Sequence, residues 1–444
     1  MNSLKTVKQQ VLQLTKKDGT LTTNDRQVAQ TLCEFFGEVF TKEIDKSDQE
    51  THAAIFGVAN RLDLVFDISS VKKRLTRLKT DKSAGPDGLH PMVLKECADN
   101  LAMPLACIFQ ASYDGGQLPS EWKLAEVTPI YKKGPKNEPG NYRPISLTSI
   151  ACKVMEGLMR DELLKFLEAK KIITNKQHGF VRGRSCLTNL LQTFEEWTAA
   201  LDEGQGIDVV YLDYRKAFDT VPHGRLIKKL SDYGVHAEML RWIQSFLGDR
   251  RMRVNTRGSY SDWIDVISGV PQGSVIGPLL FLCYVNDIPD LMLNSIILFA
   301  DDIKIWKKIN DDQDSNGLQD DLNTLQQWSD RWLLGFNTPK CSIMHVGHNK
   351  DTKYYLKDNG SLVELKEIRE EKDLGVVVTN DLKPSGQCKA AAAKARAILG
   401  WIYRHFKKLS QKQFLTIYKA YVRPHLEYSV QAWSPYLQKD IICL

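Results

Sequence analysis

Three aspartates stand at the ends of apolar runs. Asp213 follows the apolar, β-branched run 206–212, and Asp301 and Asp302 lie side by side between two further apolar runs. Neighbouring carboxylates between buried strands repel each other unless a cation compensates their charge. Hard oxygen ligands favour Mg²⁺, and two such ions about 3.5–4 Å apart can clamp the attacking and leaving oxygens of a phosphoryl transfer. Asp-Asp is also ordinary turn chemistry, so an unremarkable turn stays open as the alternative.

The elements that must position these acids include both strands and helices. Apolar, β-branched runs predict strands over 125–131, 206–212, 251–254, 263–268, 295–300, 303–306 and 342–346. Apolar residues at helical spacing predict helices over 26–40, 69–79, 91–97, 103–113, 149–169, two within 226–247, 278–286, 319–333, and from 385 onward. The run 278–286 also fits a strand, and we predict a helix because it ends in polar residues. Strands interspersed with helices indicate an α+β or α/β fold.

Length, charge and cysteine usage exclude several classes of protein. The 444 residues allow about two to four domains. Residues 381–444 hold 11 Lys or Arg and 3 Asp or Glu, a net charge of +8 against +6 for the whole chain, which favours a polyanion partner near this end. The nine cysteines include no C-x-x-C pair, and no apolar run approaches the ~20 residues of a membrane span. We therefore expect an intracellular chain, nuclear or cytoplasmic, that is not secreted and has no membrane partner.

The sequence also contains a candidate for a different metal site, one for zinc. Cys341, His345 and His348 are spaced so that they could hold zinc. Only three ligands are present, so the pattern is a weak signal.

Nine segments of the chain resemble, in the same order, the reverse transcriptases of non-LTR (LINE-type) retrotransposons, especially the jockey-like and chicken-repeat-like lineages. They are SAGPDGLHPMVLK from Ser83, WKLAEVTPIYKKGPKNEPGNYRPISLTSIACKVME from Trp122, QHGFVRGRS from Gln177, VVYLDYRKAFDTV from Val209, SGVPQGSVIGPLLF from Ser268, FADD from Phe299, FNTPKC around Lys340, EKDLGVVV from Glu371 and YVRPHLEYSVQAWSPY from Tyr421. The resemblance extends from about residue 30 to the end of the chain. Each motif alone is weak, but the ordered set is specific.

The resemblance implies an α+β right-hand polymerase. It has helical fingers, a ferredoxin-like β-sheet palm and a helical thumb. The expected division is an N-terminal helical extension over 1–80, fingers with the first palm elements over 81–205, the palm over 206–378, and a basic thumb over 379–444.

The resemblance also assigns the chemistry. The chain would be an RNA-directed DNA polymerase in which a primer 3′-hydroxyl attacks the α-phosphate of a deoxynucleoside triphosphate. Asp213 and Asp301 would hold two Mg²⁺ ions, with Mn²⁺ as the alternative metal and Asp302 in support. The backbone carbonyl of Tyr214 would complete a coordination shell. Lys340 resembles the lysine proposed to protonate the departing pyrophosphate.

Four residues are expected to contact the incoming nucleotide. Arg143 and one of Lys132 and Lys133 would bind its triphosphate, with solvated loop charges as the alternative. Phe218 would exclude a 2′-hydroxyl by its volume, although it could be an ordinary core residue. Gln272, in a Pro-Gln-Gly turn, would lie near the nucleotide and the template base.

The remaining assignments concern nucleic acid. Arg182 and Arg184 would touch the template or primer backbone. Leu374, Gly375 and Val376 resemble a primer grip, and the basic C-terminal helices resemble a thumb that follows the duplex. The expected partners are an RNA template, a DNA primer and deoxynucleoside triphosphates.

Two departures from the family pattern leave a rival open. From the resemblance, we expect that the endonuclease domain that full-length relatives carry upstream is missing from this chain, and that the chain ends inside the thumb. The rival is a decayed or domesticated fragment that binds nucleic acid without catalysis. A maturase-type or telomerase-type polymerase is a second alternative, which the segments from Ser268 and Tyr421 fit less well.

Overall fold

The structure is a computed structural model that describes residues 13–43, 64–347, 351–358 and 360–444. Its contacts divide the chain into two compact units. Unit 1 comprises residues 1–173, 216–286 and 332–334, and unit 2 comprises residues 174–215, 287–331 and 335–444. His348 of the zinc alternative and parts of the predicted N-terminal extension lie outside the described residues.

The helices are distributed along the whole described chain. They are α1 (Asp25–Gly37), α2 (Ile68–Thr76), α3 (Pro91–Glu96), α4 (Ala98–Asp114), α5 (Ile150–Ala169), α6 (Cys186–Asp202), α7 (Ala217–Thr220), α8 (His223–Asp232), α9 (Ala237–Leu247), α10 (Gly277–Val285), α11 (Asp312–Trp332), α12 (Ser385–His405), α13 (Gln411–Ile417), α14 (Arg423–Glu427) and α15 (Gln438–Cys443). None of the helices within the described ranges is long and apolar enough to cross a membrane.

Among the residues that the structure describes, the strands form four sheets. They are β1 (Leu124–Tyr131), β2 (Tyr142–Leu147), β3 (Gly206–Leu212), β4 (Arg250–Thr256), β5 (Ser259–Tyr260), β6 (Ile264–Val266), β7 (Ser295–Phe299), β8 (Asp302–Ile309), β9 (Ser342–Val346), β10 (Tyr355–Asp358), β11 (Ser361–Glu364), β12 (Lys366–Glu367), β13 (Glu370–Asp373) and β14 (Val376–Thr379). The mixture of helices and sheets confirms the predicted α+β class.

The sheet of unit 1 is built around β1. Strand β1 pairs antiparallel with β2 and parallel with β4, and β4 also pairs with β5 and β6. Helix α1 supplies the core beside this sheet, because its Val28, Leu32 and Phe36 recur at helical spacing and are buried with Val127 and Val254.

The sheet of unit 2 has the strand order β12-β9-β3-β8-β7. Strand β3 lies between β8 and β9 and is antiparallel to both, so its apolar residues are covered by neighbours on two sides. Val209 of β3 is buried in one core with Trp197 of α6, Trp306 of β8 and Met344 of β9. Because β3 is paired on both sides, the position at which it ends is fixed. The position of the next residue, Asp213, is therefore fixed as well.

Most predicted elements are present, including the ambiguous run 278–286, which forms helix α10 as predicted. The sequence patterns had assigned no element to β2, to α6 or to residues 355–379. In α6 the buried face includes the polar residues Asn189 and Thr193, so the apolar periodicity is interrupted. In β2 a proline occupies the middle of the strand, which hides the usual alternation.

Candidate functional site

Strand β3 brings Asp213 to the end of the unit 2 sheet. In the antiparallel register, Leu212 pairs with Ile303 of β8, so the next position, Asp213, lies opposite Asp302. On the other side, Tyr211 pairs with Ser342 of β9. The predicted carboxylates therefore share one end of one sheet.

A two-residue turn at the tip of the β7–β8 hairpin carries the paired acids. Phe299 pairs with Asp302, which leaves Ala300 and Asp301 at the tip. Ala300 has a φ of +55°, a conformation that a residue with a side chain adopts at a cost. The surrounding contacts must therefore hold this turn in place.

The segment before α6 holds the turn. Gln177 Oε1 accepts hydrogen bonds from Ala300 N at 2.8 Å and from Gly179 N at 2.7 Å. His178 N also donates to the carbonyl of Leu298 in β7 at 2.9 Å. Gly179 lies so close that an added Cβ would collide with the backbone nitrogen of Ala300. Gln177 and Gly179 thus form a clamp on the acidic hairpin.

The carboxylates at this end of the sheet interact electrostatically. Asp302 retains solvent exposure, yet desolvation by the surrounding chain raises its pKa to about 7. The negative charges of Asp301, Asp213 and Asp373 add to this effect, and Lys304 opposes it. Strongly perturbed acids of this kind are typical of functional sites.

Asp213 is engaged by cationic and amide groups. Its Oδ2 accepts from Lys340 Nζ at 2.6 Å and from Asn337 Nδ2 at 3.3 Å. The Lys340 side chain is 50% exposed and that of Asp213 is 25% exposed, so the pair is open to solvent. The structure thus places Lys340, the predicted general acid, beside Asp213, a predicted metal-binding carboxylate, and its role in protonating pyrophosphate stays a prediction.

Tyr214 turns its ring into the core next to Asp213. The ring is buried and stacks on Phe336 with the centroids 4.8 Å apart. The predicted role of Tyr214 concerns only its backbone carbonyl. The ring contact does not test that role, which stays a prediction.

The donor set suits a divalent cation, although it is not assembled around one. Within the described ranges, no three His, Cys, Asp or Glu side chains are already arranged to hold a metal ion. The metal-binding atoms that Asp213, Asp301 and Asp302 offer are hard carboxylate oxygens. Beside desolvation, an excess of nearby negative charge raises the pKa of Asp302. A divalent cation would relieve that excess, so the residues fit Mg²⁺ or Mn²⁺.

A buried ion pair joins strand β8 to the β13–β14 hairpin. Lys304 Nζ lies 2.7 Å from Asp373 Oδ2, and both side chains are only 5% exposed. Lys304 also donates to Thr193 Oγ1 of α6 at 3.2 Å. Lys304 is two residues beyond Asp302 and therefore on the same face of β8.

The predicted grip residues occupy the turn of that second hairpin. Asp373 pairs with Val376, and Leu374 and Gly375 between them have φ values of +45° and +92°. Tyr428 braces the turn, because its hydroxyl donates to the carbonyl of Leu374 at 2.8 Å. Leu374 and Gly375 thus form a two-residue turn before Val376, fixed by the ion pair of Asp373 on one side and by Tyr428 on the other.

The two predicted arginines lie in the loop before α6. Arg182 and Arg184 are both exposed. Arg184 Nη1 lies 3.2 Å from His178 Nε2, and burial together with this guanidinium lowers the pKa of His178 to about 4. A neutral His178 leaves the positive charge of Arg184 uncompensated.

The nucleotide-binding candidates lie in unit 1. In the β1–β2 hairpin Ile130 pairs with Arg143, and Lys132 N continues the ladder by donating to Asn141 O at 2.8 Å. Residues 130 and 132 face the same side of the hairpin, so Lys132 shares the face of Arg143, whereas Lys133 alternates to the other face. Register therefore favours Lys132 as the companion of Arg143.

Phe218 and Gln272 have defined partners within unit 1. The ring of Phe218 stacks on Phe281 of α10 with the centroids 4.4 Å apart. The side-chain Nε2 of Gln272 donates to Asp219 Oδ1 at 2.9 Å, and the backbone carbonyl of Gln272 accepts from Ser146 N at 2.8 Å. Gln272 is therefore a positioned side chain and not a loose surface amide.

Asp219 is a residue of this site that the sequence analysis missed. Burial raises its pKa to about 6, against the lowering effects of Lys216 and Gln272. Gln177, Lys304 and Asp373 were missed as well. Asp219, Gln177 and Asp373 lie inside motifs that were recognised, so membership in a motif was the available signal for these three residues.

The zinc alternative finds no support among the described ligands. His345 Nδ1 lies 2.5 Å from Asp208 Oδ1, in a buried group with Thr352 and Tyr354. Cys341 Sγ instead lies 3.8 Å from the carbonyl of Asp213. Burial lowers and Asp208 raises the pKa of His345, with a net rise, so the described contact of His345 is with Asp208.

Comparison with known proteins gives a consistent set of similarities. A family model described as reverse transcriptase (RNA-dependent DNA polymerase) matches residues 130–410. The chain is 30% identical over 381 residues to the probable RNA-directed DNA polymerase from transposon X-element, and 28% identical over 383 residues to the RNA-directed DNA polymerase from mobile element jockey, both of Drosophila melanogaster. Each match covers 83% of this chain and 41% of the relative.

A third relative is similar to the same extent. It is the probable RNA-directed DNA polymerase from transposon BS of Drosophila melanogaster, 28% identical over 390 residues, which cover 83% of this chain and 42% of the relative. The chain thus spans about two fifths of the length of these relatives.

Proposed function

Because the chain belongs to the reverse transcriptase family, we propose that it is an RNA-directed DNA polymerase of a LINE-type retrotransposon. It extends a primer 3′-hydroxyl with deoxynucleoside triphosphates along an RNA template. The reaction is a nucleotidyl transfer, in which positioning and charge neutralisation supply most of the catalysis.

The observation that carries this proposal is the electrostatic coupling of three carboxylates at one end of the unit 2 sheet. The charges of Asp301 and Asp213 contribute to the raised pKa of Asp302. A purely structural turn has no need of a third acid delivered by a different strand, and its mutual repulsion would only cost stability. A reaction that consumes a polyphosphate with metal assistance does need it.

Asp213, Asp301 and Asp302 would hold two Mg²⁺ ions, with the backbone carbonyl of Tyr214 as a further oxygen donor. When bound, the ions supply charge neutralisation at the phosphates and lower the pKa of the attacking hydroxyl. Asp213 and Asp302 come from neighbouring strands of one sheet, so the backbone ladder fixes their separation. Gln177 fixes the turn between Ala300 and Asp302 in the same way.

Lys340 would donate a proton from Nζ to the departing pyrophosphate. The ion pair with Asp213 Oδ2 at 2.6 Å supports this role, since it keeps the ammonium at the sheet end. A general acid must lie within reach of the oxygen it protonates.

The unit 1 candidates would bind the incoming nucleotide. Lys132 and Arg143 present two positive charges on one face of a hairpin, which suits a triphosphate. Phe218, backed by Phe281, would block a 2′-hydroxyl with a ring that cannot retreat. Gln272, oriented by Asp219, would contact the nucleotide and the template base.

The nucleic-acid contacts would come from exposed arginines and the fixed turn. Arg182 and Arg184 would neutralise backbone phosphates, and the segment 374–376 would support the primer end. The RNA template and DNA primer are therefore the proposed macromolecular partners, and a nuclear or cytoplasmic location follows from them.

The proposed architecture is that of a right hand. Residues 206–378 would be the ferredoxin-like palm, 81–205 the fingers with the first palm elements, 379–444 the thumb, and 1–80 an N-terminal extension. Two features support this division. The five-stranded sheet with its acids lies within 206–378, and the described residues after 384 are helical and basic.

Primer extension on an RNA template tests the function. We expect the chain to add deoxynucleotides in Mg²⁺, and Asp301→Asn to reduce the rate by about a thousandfold or more while the melting temperature stays similar. Asp320→Asn, an exposed acid on α11, is the matched control and should extend normally. Template binding without any extension by the unaltered chain would support the non-catalytic rival instead.

A further inference from the structure

A wide basic cleft in unit 1 has none of the site residues assigned above among its lining residues. It has a volume of about 950 Å³ and runs between α2, with the residues that follow it, and α5. Its basic lining residues are Lys73, Arg74, Arg77, Lys79, Lys82, Lys153, Arg160 and Lys165, whereas only Asp67, Asp161 and Glu162 are acidic. The excess is notable because residues 1–380 together carry a net charge of only −2.

Some of these basic side chains form ion pairs within the cleft, and others do not. Arg74 contacts Asp161 and donates to the carbonyl of Gly157 at 2.8 Å, and Arg160 lies 2.7 Å from Asp161. The Arg74 contacts hold α2 against α5, whereas the Arg160–Asp161 pair lies within α5. Lys73, Arg77, Lys79 and Lys153, in contrast, form no ion pair with any described residue.

Lys153 is the most informative of the four. It is only partly exposed on α5, and Glu156, the acid that acts on it electrostatically, is buried with Oε2 accepting from Val275 N at 2.5 Å and Ile276 N at 3.2 Å. A half-buried ammonium without a carboxylate partner carries a desolvation cost. An anion in the cleft would offset that cost.

The spacing of the charges fits a chain of anions better than one anion. Lys73 and Arg77 are one helical turn apart, about 6 Å along α2, and Lys153 and Arg160 are two turns apart, about 10 Å along α5. Apolar residues such as Val65, Leu78 and Leu158 line the space between them. Repeated positive charges beside apolar surface are what single-stranded nucleic acid requires, since its phosphates repeat and its bases are apolar-faced.

We infer that this cleft binds the phosphate backbone of a single nucleic-acid strand. The choice of nucleic acid among polyanions rests on the proposed polymerase function, but the binding itself requires no catalysis. The phosphates contact Arg77 and Lys153, with Lys73 and Lys79 beside them. Recognition of this kind is independent of sequence and strongly dependent on salt.

Equilibrium binding tests the inference in a chain that cannot extend a primer. The full chain with Asp301→Asn is titrated into fluorescent oligo(U) or oligo(dT) without nucleotides, over a range of NaCl concentrations. Arg77→Gln with Lys153→Gln is compared with Lys95→Gln and Lys170→Gln, which remove the same charge from positions of unit 1 that do not line the cleft. We expect the cleft pair to weaken binding by about tenfold and to reduce the slope of log K against log salt by about 1.4, the value for two single-strand phosphate contacts. The control pair should change binding less than twofold.

Lysine acetylation followed by mass spectrometry provides a measurement that needs no folded variant. Bound oligo(U) should protect Lys73, Lys79 and Lys153 and leave Lys95 reactive. Equal losses in both pairs of variants, or unprotected cleft lysines, would overturn the inference. Displacement of the strand by inorganic phosphate at constant ionic strength would overturn it too, since it would indicate a site for one anion. A failed primer extension would leave all these readouts unchanged, so the two proposals fail separately.

Discussion

The pKa of Asp302 shows how neighbouring carboxylates disfavour the ionised form of an acid. Desolvation and three nearby carboxylates raise its pKa from 3.8 to about 7. Without a cation, the side chain therefore ionises only near neutral pH. This residue makes the stability of the metal-free chain depend on pH in a direction that can be measured.

An acid whose pKa is higher in the folded chain binds its proton more tightly when folded. Its contribution to stability is therefore present at low pH and is lost as the pH rises from about 4 to about 7. In EDTA, the melting temperature of Asp302→Asn minus that of the unaltered chain should grow over this interval and then level off. Thermal melts across pH check this, with Asp320→Asn as the control that should run parallel to the unaltered chain. Parallel curves for Asp302→Asn would contradict the assignment of charge repulsion.

Phe218 carries a prediction about substrate choice. Replacement by Val removes most of the ring that would meet a 2′-hydroxyl, so Phe218→Val should admit ribonucleotides that the unaltered chain rejects. The lost stacking on Phe281 should also cost about 1–3 kcal/mol of unfolding free energy. Primer extension with matched ribonucleotides and deoxynucleotides measures the ratio. Unchanged discrimination would show that Phe218 is only a core residue.

The hairpins that carry the acids, and the contacts that hold those hairpins, determine whether the carboxylates can act together. Strands β3, β7 and β8 could be predicted because each is an apolar run, and Asp213, Asp301 and Asp302 could be predicted because they end such runs. The Gln177 clamp could not, since a glutamine in a loop says nothing of the carbonyl or amide it will meet. Asp373 was hidden for a similar reason, because it ends the acidic run EEKD and yet is buried against Lys304.

Gly179 tests the clamp. An alanine Cβ would collide with the backbone nitrogen of Ala300, so Gly179→Ala must displace the acidic turn. We expect a loss of about 1–3 kcal/mol in unfolding free energy and a fall in kcat of at least about tenfold, with KM changed less. Gly400→Ala, a helical glycine of α12 with open space around it, is the matched control and should be neutral or slightly stabilising. Full activity in Gly179→Ala would show that the turn does not depend on this contact.

The Lys304–Asp373 pair tests how the second hairpin is held. Lys304→Met leaves the Asp373 carboxylate buried and unpaired, which should cost about 3–5 kcal/mol of unfolding free energy. Asp373→Leu added to Lys304→Met should recover part of that loss, because no buried charge remains. Denaturant unfolding of both single variants and the double variant measures the coupling. Additive losses would mean that the pair does not act as a unit.

The described residues form two units, each with its own five-stranded sheet and core, and the proposed metal-binding and nucleotide-binding residues fall in different units. Ordered motifs made the family predictable from the sequence, and the family match over residues 130–410 confirms it. The basic C-terminal part was also visible in the sequence, because charge can be counted. The basic cleft was not, since residues 73–82 and 153–165 come together only when α2 packs on α5.

The central claim is that Asp213, Asp301 and Asp302 form one divalent-cation site. Mn²⁺ binding measured by electron paramagnetic resonance, with no nucleic acid present, tests it most directly. We expect saturable binding that Asp213→Asn and Asp301→Asn each weaken by about tenfold or more, while Asp320→Asn binds like the unaltered chain. Equal Mn²⁺ affinity in all four proteins would contradict it.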